Sequence, residues 1–128
     1  MNALMLLKYK DAVAYLLEND TLEDGLKKMT EQGYTAIPVL TEKGTYAGSV
    51  TEGDFLRYIL QNYGKDLSKN IYIRDIIRKD FNPPVRIDVN MDQLLEMSMR
   101  QNFIPVIDDR DYFIGIVTRQ DIIKAMIQ

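Results

Sequence analysis

The sequence contains no cysteine and no histidine. That excludes disulfides, thiol nucleophiles, zinc sites of the usual kind and the commonest general base, so most familiar catalytic constellations cannot be assembled. It also has no long basic run: 16 Lys and Arg stand against 19 Asp and Glu, for a net charge of −3. With a sequence pI near 4.9 there is no global positive field to hold a polyanion, and nucleic acid is not an expected partner. Individual donors at short range can still hold a small phosphate ligand. A long hydrophobic run is missing too. Met1 to Leu7 is apolar, but Lys8, Lys10 and Asp11 interrupt it well before the ~20 residues a membrane span needs, so a cytoplasmic protein without a cleavable signal is expected. Proline and glycine are sparse, four and seven residues, and 46% hydrophobic with 27% charged residues is the composition of an ordinary globular chain. A chain of 128 residues suits one compact domain, or two small units sharing a core, burying roughly 65 to 70% of the unfolded surface.

What the chain does contain is one pattern twice. Ile37-Pro38-Val39-Leu40, a turn, and Gly48-Ser49-Val50-Thr51-Glu52-Gly53-Asp54 recur 67 positions later as Ile104-Pro105-Val106-Ile107 and Gly115-Ile116-Val117-Thr118-Arg119-Gln120-Asp121. The stretch before each copy, Leu22 to Gln32 and Met91 to Gln101, also matches once one or two residues are dropped at its end. Such self-similarity makes each copy a supersecondary unit.

Within each copy the period changes along the chain. Leu22, Leu26 and Met29 keep helical spacing, and Ala36 to Leu40 is a short β-rich run. Lys43-Gly44 and Asp108 to Asp111 supply turns, after which Tyr46 to Val50 and Tyr112 to Val117 return as antiparallel strands. Glu52 to Gln61 and Arg119 to Ile127 then gather Phe55, Leu56, Ile59 and Ile122, Ile123, Met126 on one helical face. An extended segment precedes each first helix, Ala14 to Leu17 and Val85 to Val89, the latter after the helix-forbidding Pro83-Pro84. Each half thus reads β-α-β-β-α, an α/β class. Asn62 to Asn70 is polar and reads as a linker leading to a short helix at Tyr72 to Arg78, dividing the chain into 1–61, 62–70 and 71–128. Met1 to Lys10 reads as an N-terminal helix, and a longer one from Met1 to Leu17 is the alternative.

Thr51 and Thr118 stand where strand passes into helix, with Asp54 and Asp121 three residues on, the spacing of a capping box. For either motif alone, helix capping outweighs ligand binding roughly two to one. Both readings remain open.

The five-element repeat, the Pro-Val of its second strand and the Gly-x-Val-Thr-x-x-Asp of its third together resemble CBS domains arranged as a Bateman pair, over nearly the whole chain. Gly33-Tyr34-Thr35-Ala36-Ile37-Pro38-Val39-Leu40 is similar to small stand-alone CBS-pair proteins of Gram-positive bacteria, some of which bind cyclic di-AMP. The resemblance implies two halves packed about a pseudo-twofold axis, with two clefts for adenosine-type ligands. Chemically the motif suits this: a carboxylate at a helix start can accept hydrogen bonds from a ribose cis-diol, while a hydroxyl and free N–H groups there can meet a phosphate. Adenine would lie between apolar strand residues and be read by backbone groups.

By this resemblance one cleft would combine Ile116, Thr118, Gln120 and Asp121 with Tyr9, Ala12, Ala14, Tyr34 and Thr35. The other would combine Ser49, Thr51 and Asp54 with Arg78, Phe81, Pro83, Gln101 and Asn102. Arg119 beside Thr118, where Glu52 stands beside Thr51, favours a phosphate in the first and makes it the expected principal site.

Plain alternatives stand beside these. Tyr34 and Phe103 can be core aromatics, Pro38 and Pro105 can mark strand edges where no N–H is needed, and Asp108 to Asp111 lacks the ligand count and glycine of a calcium loop. The expected function is sensing of an adenine nucleotide (AMP, ADP, ATP or cyclic di-AMP) as a regulatory ligand, with no metal and no cofactor. The output would pass to a separate effector protein, and a homodimer is expected. A ligand-free assembly module is the alternative. An enzyme ranks far behind, since no G-x-S-x-G, G-x-x-x-x-G-K-[ST] or H-E-x-x-H pattern is present.

Overall fold

Threonine or asparagine opens every helix longer than two turns among the described residues. The side chains of Thr21, Thr51, Asn90 and Thr118 each accept a hydrogen bond from the backbone N–H three residues on. The computed structural model describes residues 1–65, 71–78 and 80–128; residues 66–70 of the expected linker lie outside the described residues. The chain runs α1 (Ala3–Leu6), β1 (Lys8–Tyr9), a 3-10 turn (Lys10–Ala12), β2 (Leu16–Leu17), α2 (Leu22–Gln32), β3 (Ala36–Leu40), β4 (Tyr46–Thr51) and α3 (Glu52–Gln61). A second 3-10 turn (Ile73–Asp75), β5 (Val85–Arg86), α4 (Met91–Ser98), β6 (Phe103–Ile107), β7 (Phe113–Thr118) and α5 (Arg119–Ile127) follow. Among the described residues no helix is long and apolar enough to cross a membrane.

The backbone gathers into two compact units whose limits differ from those of the repeats. Ala14–Phe81 forms one, with a three-stranded sheet in the order β2-β3-β4, β2 parallel and β4 antiparallel to β3. Its core joins Leu16, Met29, Ile37, Val50 and Phe55 to Ile73, which arrives from beyond the first repeat. Met1–Val13 with Asn82–Gln128 forms the other, around a four-stranded sheet in the order β1-β7-β6-β5. Leu94, Ile104, Val106, Val117 and Ile122 make its core, with Ala3 of α1 packed in.

The N-terminal segment departs from the expected helix. The helix ends at Leu6, because Lys8 and Tyr9 pair with Ile116 and Gly115 as the outer strand of the second sheet, which also excludes a helix running to Leu17. The short helix expected at Tyr72 to Arg78 is a single 3-10 turn at Ile73–Asp75, and Arg78 instead forms an antiparallel bridge to Ser49. The extended segment at Val85 to Val89 shortens to Val85–Arg86, as Asn90 takes up capping of α4. Nor are Pro38 and Pro105 on edge strands. Both sit in inner strands, opposite Ser49 and Ile116, one residue before the short parallel strands begin to pair at Val39 and Val106. A missing N–H is tolerated there because the parallel neighbour has not yet started.

Two glycines at matching positions admit these crossing segments. Gly115 has φ 155, and a Cβ on it would lie 2.0 Å from the Lys8 carbonyl oxygen. Gly48 has φ 146, and its Cβ would meet Ile77 Cδ1 at 2.9 Å and the Arg78 carbonyl oxygen at 3.3 Å. Each repeat therefore has a segment from beyond it laid across its Gly-x-Val-Thr run, a strand at Gly115 and a single bridge beside Gly48.

Candidate functional site

Both aspartates stand in the first turn of a helix that follows directly on a strand, so their carboxylates begin in equivalent positions. The two surroundings differ. At Asp54 the capping box is reciprocal: its N–H donates to Thr51 Oγ1 at 3.3 Å, and its Oδ2 accepts from the Thr51 N–H at 2.7 Å and the Thr51 hydroxyl at 3.1 Å. Oδ1 faces Arg78 Nε at 2.7 Å and Arg57 Nη1 at 3.0 Å, close charge contacts without aligned hydrogen bonds. The Asp54 side chain is 0% exposed. Arg78 also stacks on Phe81, its guanidinium carbon 4.1 Å from the ring centroid. Ser49, fully buried, hydrogen-bonds the Tyr46 phenol at 2.7 Å. Burial pushes that phenol well above its ordinary range, the Ser49 bond pulling weakly the other way.

At Asp121 the cap runs one way. Its N–H donates to Thr118 Oγ1 at 3.1 Å, while the carboxylate turns out to Lys8 Nζ at 3.7 Å and keeps 29% exposure. A surface hollow of about 570 Å³ at the start of the same helix is lined by Asn102, Thr118, Arg119, Gln120, Ile123 and Lys124, with Asp121 itself outside that lining. Arg119 and Lys124 are the charged residues in that lining, and Lys8 faces Asp121.

Ser49, Thr51, Asp54, Arg78 and Phe81 thus come together within one unit, but Asp54 is no free acceptor: its oxygens already face the Thr51 donors and two guanidinium groups. Ser49 likewise is turned to Tyr46. Tyr9, Ala12, Ile116, Thr118, Arg119, Gln120 and Asp121 share the other unit, with Tyr9 and Ala12 exposed. Ala14, Tyr34 and Thr35 belong to the Asp54 unit; Tyr34 and Thr35 are exposed, and Ala14 packs against the core.

Three expected partners of Asp54 belong to the opposite unit. Gln101 is buried and donates to the carbonyls of Pro83 and Phe103, both at 3.3 Å. Asn102 lines the hollow beside Thr118. Arg119, expected to favour a phosphate, lines the hollow and reaches the Ser98 carbonyl at 2.6 Å, Asn102 Oδ1 at 2.7 Å and the Met99 carbonyl at 3.4 Å. It caps the C-terminal carbonyls of α4, a favourable place for a cation.

Lys8, Arg57 and Lys124 are the charged residues that sequence reasoning missed. Arg57 and Lys124 lie three residues beyond their aspartates, a readable helical spacing. Lys8 is visible only through the pairing of β1 with β7. Asp108 to Asp111 is a capped turn, with Asp108 Oδ1 accepting from the N–H groups of Arg110 and Tyr112 and Asp111 paired to Arg86.

Residues 9–61 and 72–128 each match the CBS domain family. The chain belongs to that family. Among curated relatives, this CBS pair is 27% identical to cyclic di-AMP receptor B of Bacillus subtilis, over 91% of this chain and 80% of that protein. It is also 27% identical to a homoserine O-acetyltransferase of Methanococcoides burtonii, over 88% of this chain but 22% of the relative. The chain spans less than half the length of the first curated relatives it matches, between 22% and 41%. The fold recurs in many solved structures. A CbpB in complex with c-di-AMP has a TM-score of 0.90 at 21% identity, covering 98% of this chain and 84% of its own. CBSX2 in complex with AMP has a TM-score of 0.79 at 21% identity, covering 99% and 96%.

Proposed function

We propose that this CBS pair is a regulatory module that binds an adenine nucleotide at the Asp121 site and carries out no chemistry on it. The half-open Asp121 carboxylate carries this reading, one residue beyond the Gln120 that lines a hollow of about 570 Å³. Asp121 would accept from the ribose diol, while Thr118 and the lysines at 8 and 124 would meet phosphate. Relatives named for cyclic di-AMP or bound to AMP support the ligand class. The Ser49 hydroxyl is no activated nucleophile, since it is buried against a phenol whose raised proton affinity keeps it neutral.

Ile123, Met126 and Ile127 on α5 are exposed by 49, 57 and 79%, an apolar strip suited to a homodimer contact. A separate effector protein would read the bound state through that assembly. The same strip supports the second reading, a ligand-free assembly module.

Titration of the full chain with AMP and, separately, cyclic di-AMP by calorimetry distinguishes the two. Saturable heat with AMP at one site per chain is expected. No heat from either nucleotide would favour assembly.

A further inference from the structure

The matching positions of the two repeats carry a consistent exchange of arginine for lysine. Arg57 and Lys124 are separated by the same 67 positions as Asp54 and Asp121. Arg78 and Lys8 arrive on the segments that cross Gly48 and Gly115. Each aspartate therefore has one cation a turn along its own helix and one on a crossing segment. In the Asp54 copy both are arginines, in the Asp121 copy both are lysines.

We infer that Arg78, assisted by Arg57, is a built-in plug of the first-repeat site, so that arginine or lysine at these paired positions decides which of two equivalent sites is open. This rests on the adenine-nucleotide reading above. Guanidinium is planar, weakly hydrated and matched to a carboxylate, whereas ammonium is compact, strongly hydrated and stays in water. The cations are similarly exposed, but the carboxylates follow that difference: Asp54 is 0% exposed with guanidinium nitrogens at 2.7 and 3.0 Å, and Asp121 is 29% exposed with one ammonium at 3.7 Å. Phe81 holds the plug flat by stacking on it. A sugar diol at Asp54 must displace a guanidinium from a desolvated carboxylate, but at Asp121 only a solvated lysine and water.

The test exchanges the cations. AMP is titrated calorimetrically into the full chain, the Arg57→Lys/Arg78→Lys variant and the Lys8→Arg/Lys124→Arg variant, with melting curves recorded for each. We expect one AMP per chain for the parent, two for the lysine exchange, and at least a ten-fold loss of affinity for the arginine exchange. Two AMP sites in the parent overturn the plug, as does a folded lysine exchange that stays at one. Should the lysine exchange unfold, the arginine exchange decides, because unchanged affinity there contradicts the proposal. Binding lost in Asp121→Ala but never gained by the lysine exchange removes the plug alone. No AMP bound by the parent or by either variant removes the nucleotide reading with it.

Discussion

Asp121→Ala is expected to weaken AMP binding roughly 10- to 150-fold, the equivalent of about 1.5 to 3 kcal/mol for a lost hydrogen bond to a charged group. Stability should fall far less, by about 0.3 to 1 kcal/mol for a negative charge removed from a helix N-terminus. The reason is geometric: Asp121 makes no return bond to the Thr118 N–H and holds only one lysine at 3.7 Å, so little folding energy depends on its carboxylate. Asp54→Ala should behave in the opposite way. Its buried carboxylate accepts from Thr51 and lies against two guanidinium groups, so melting temperature should drop and AMP affinity should stay near that of the parent. Calorimetry and thermal melting on the two variants check both halves. Equal affinity losses would contradict the asymmetry.

Gly115→Ala is expected to be among the most destabilising single methyl additions, by about 2 to 4 kcal/mol, through backbone strain together with overpacking. The new Cβ would lie 2.0 Å from a backbone oxygen of β1, so no side chain can rotate away to relieve it. Strand β1 must leave β7, withdrawing Lys8 from Asp121 and loosening Ala3 from the core. Gly48→Ala is the internal comparison. Its nearest contact is the end of the flexible Ile77 side chain at 2.9 Å, so the cost should be smaller. Urea unfolding of both variants measures the difference. A Gly115→Ala protein as stable as Gly48→Ala would show that the crossing segment is not held tightly.

The helices and hairpins were legible because their signals are local. Leu22 to Gln32, Ala36 to Leu40, Glu52 to Gln61 and Arg119 to Ile127 follow apolar period and cap residue within a few positions, and the structure has them at those bounds. Strand β1 was not legible, since a two-residue strand has no period and its partner Ile116 is distant in sequence. The same distance hid Lys8 as a partner of Asp121. Arg119 was legible in part: its charge was visible beside Thr118, but its anchors on Ser98 and Asn102 depend on where α4 ends. The Thr-x-x-Asp spacing carried both of its meanings, a reciprocal cap at Asp54 and a one-way cap with an outward carboxylate at Asp121. Which copy takes which depends on the cations brought by chain segments outside the motif.

The most direct test is a crystal structure of the full chain grown with AMP. The ribose hydroxyls are predicted within hydrogen-bond distance of the Asp121 carboxylate, with Arg78 still on Asp54 and no nucleotide there. A ribose held by Asp54, or a saturated crystal in which Asp121 touches no nucleotide, would contradict the account.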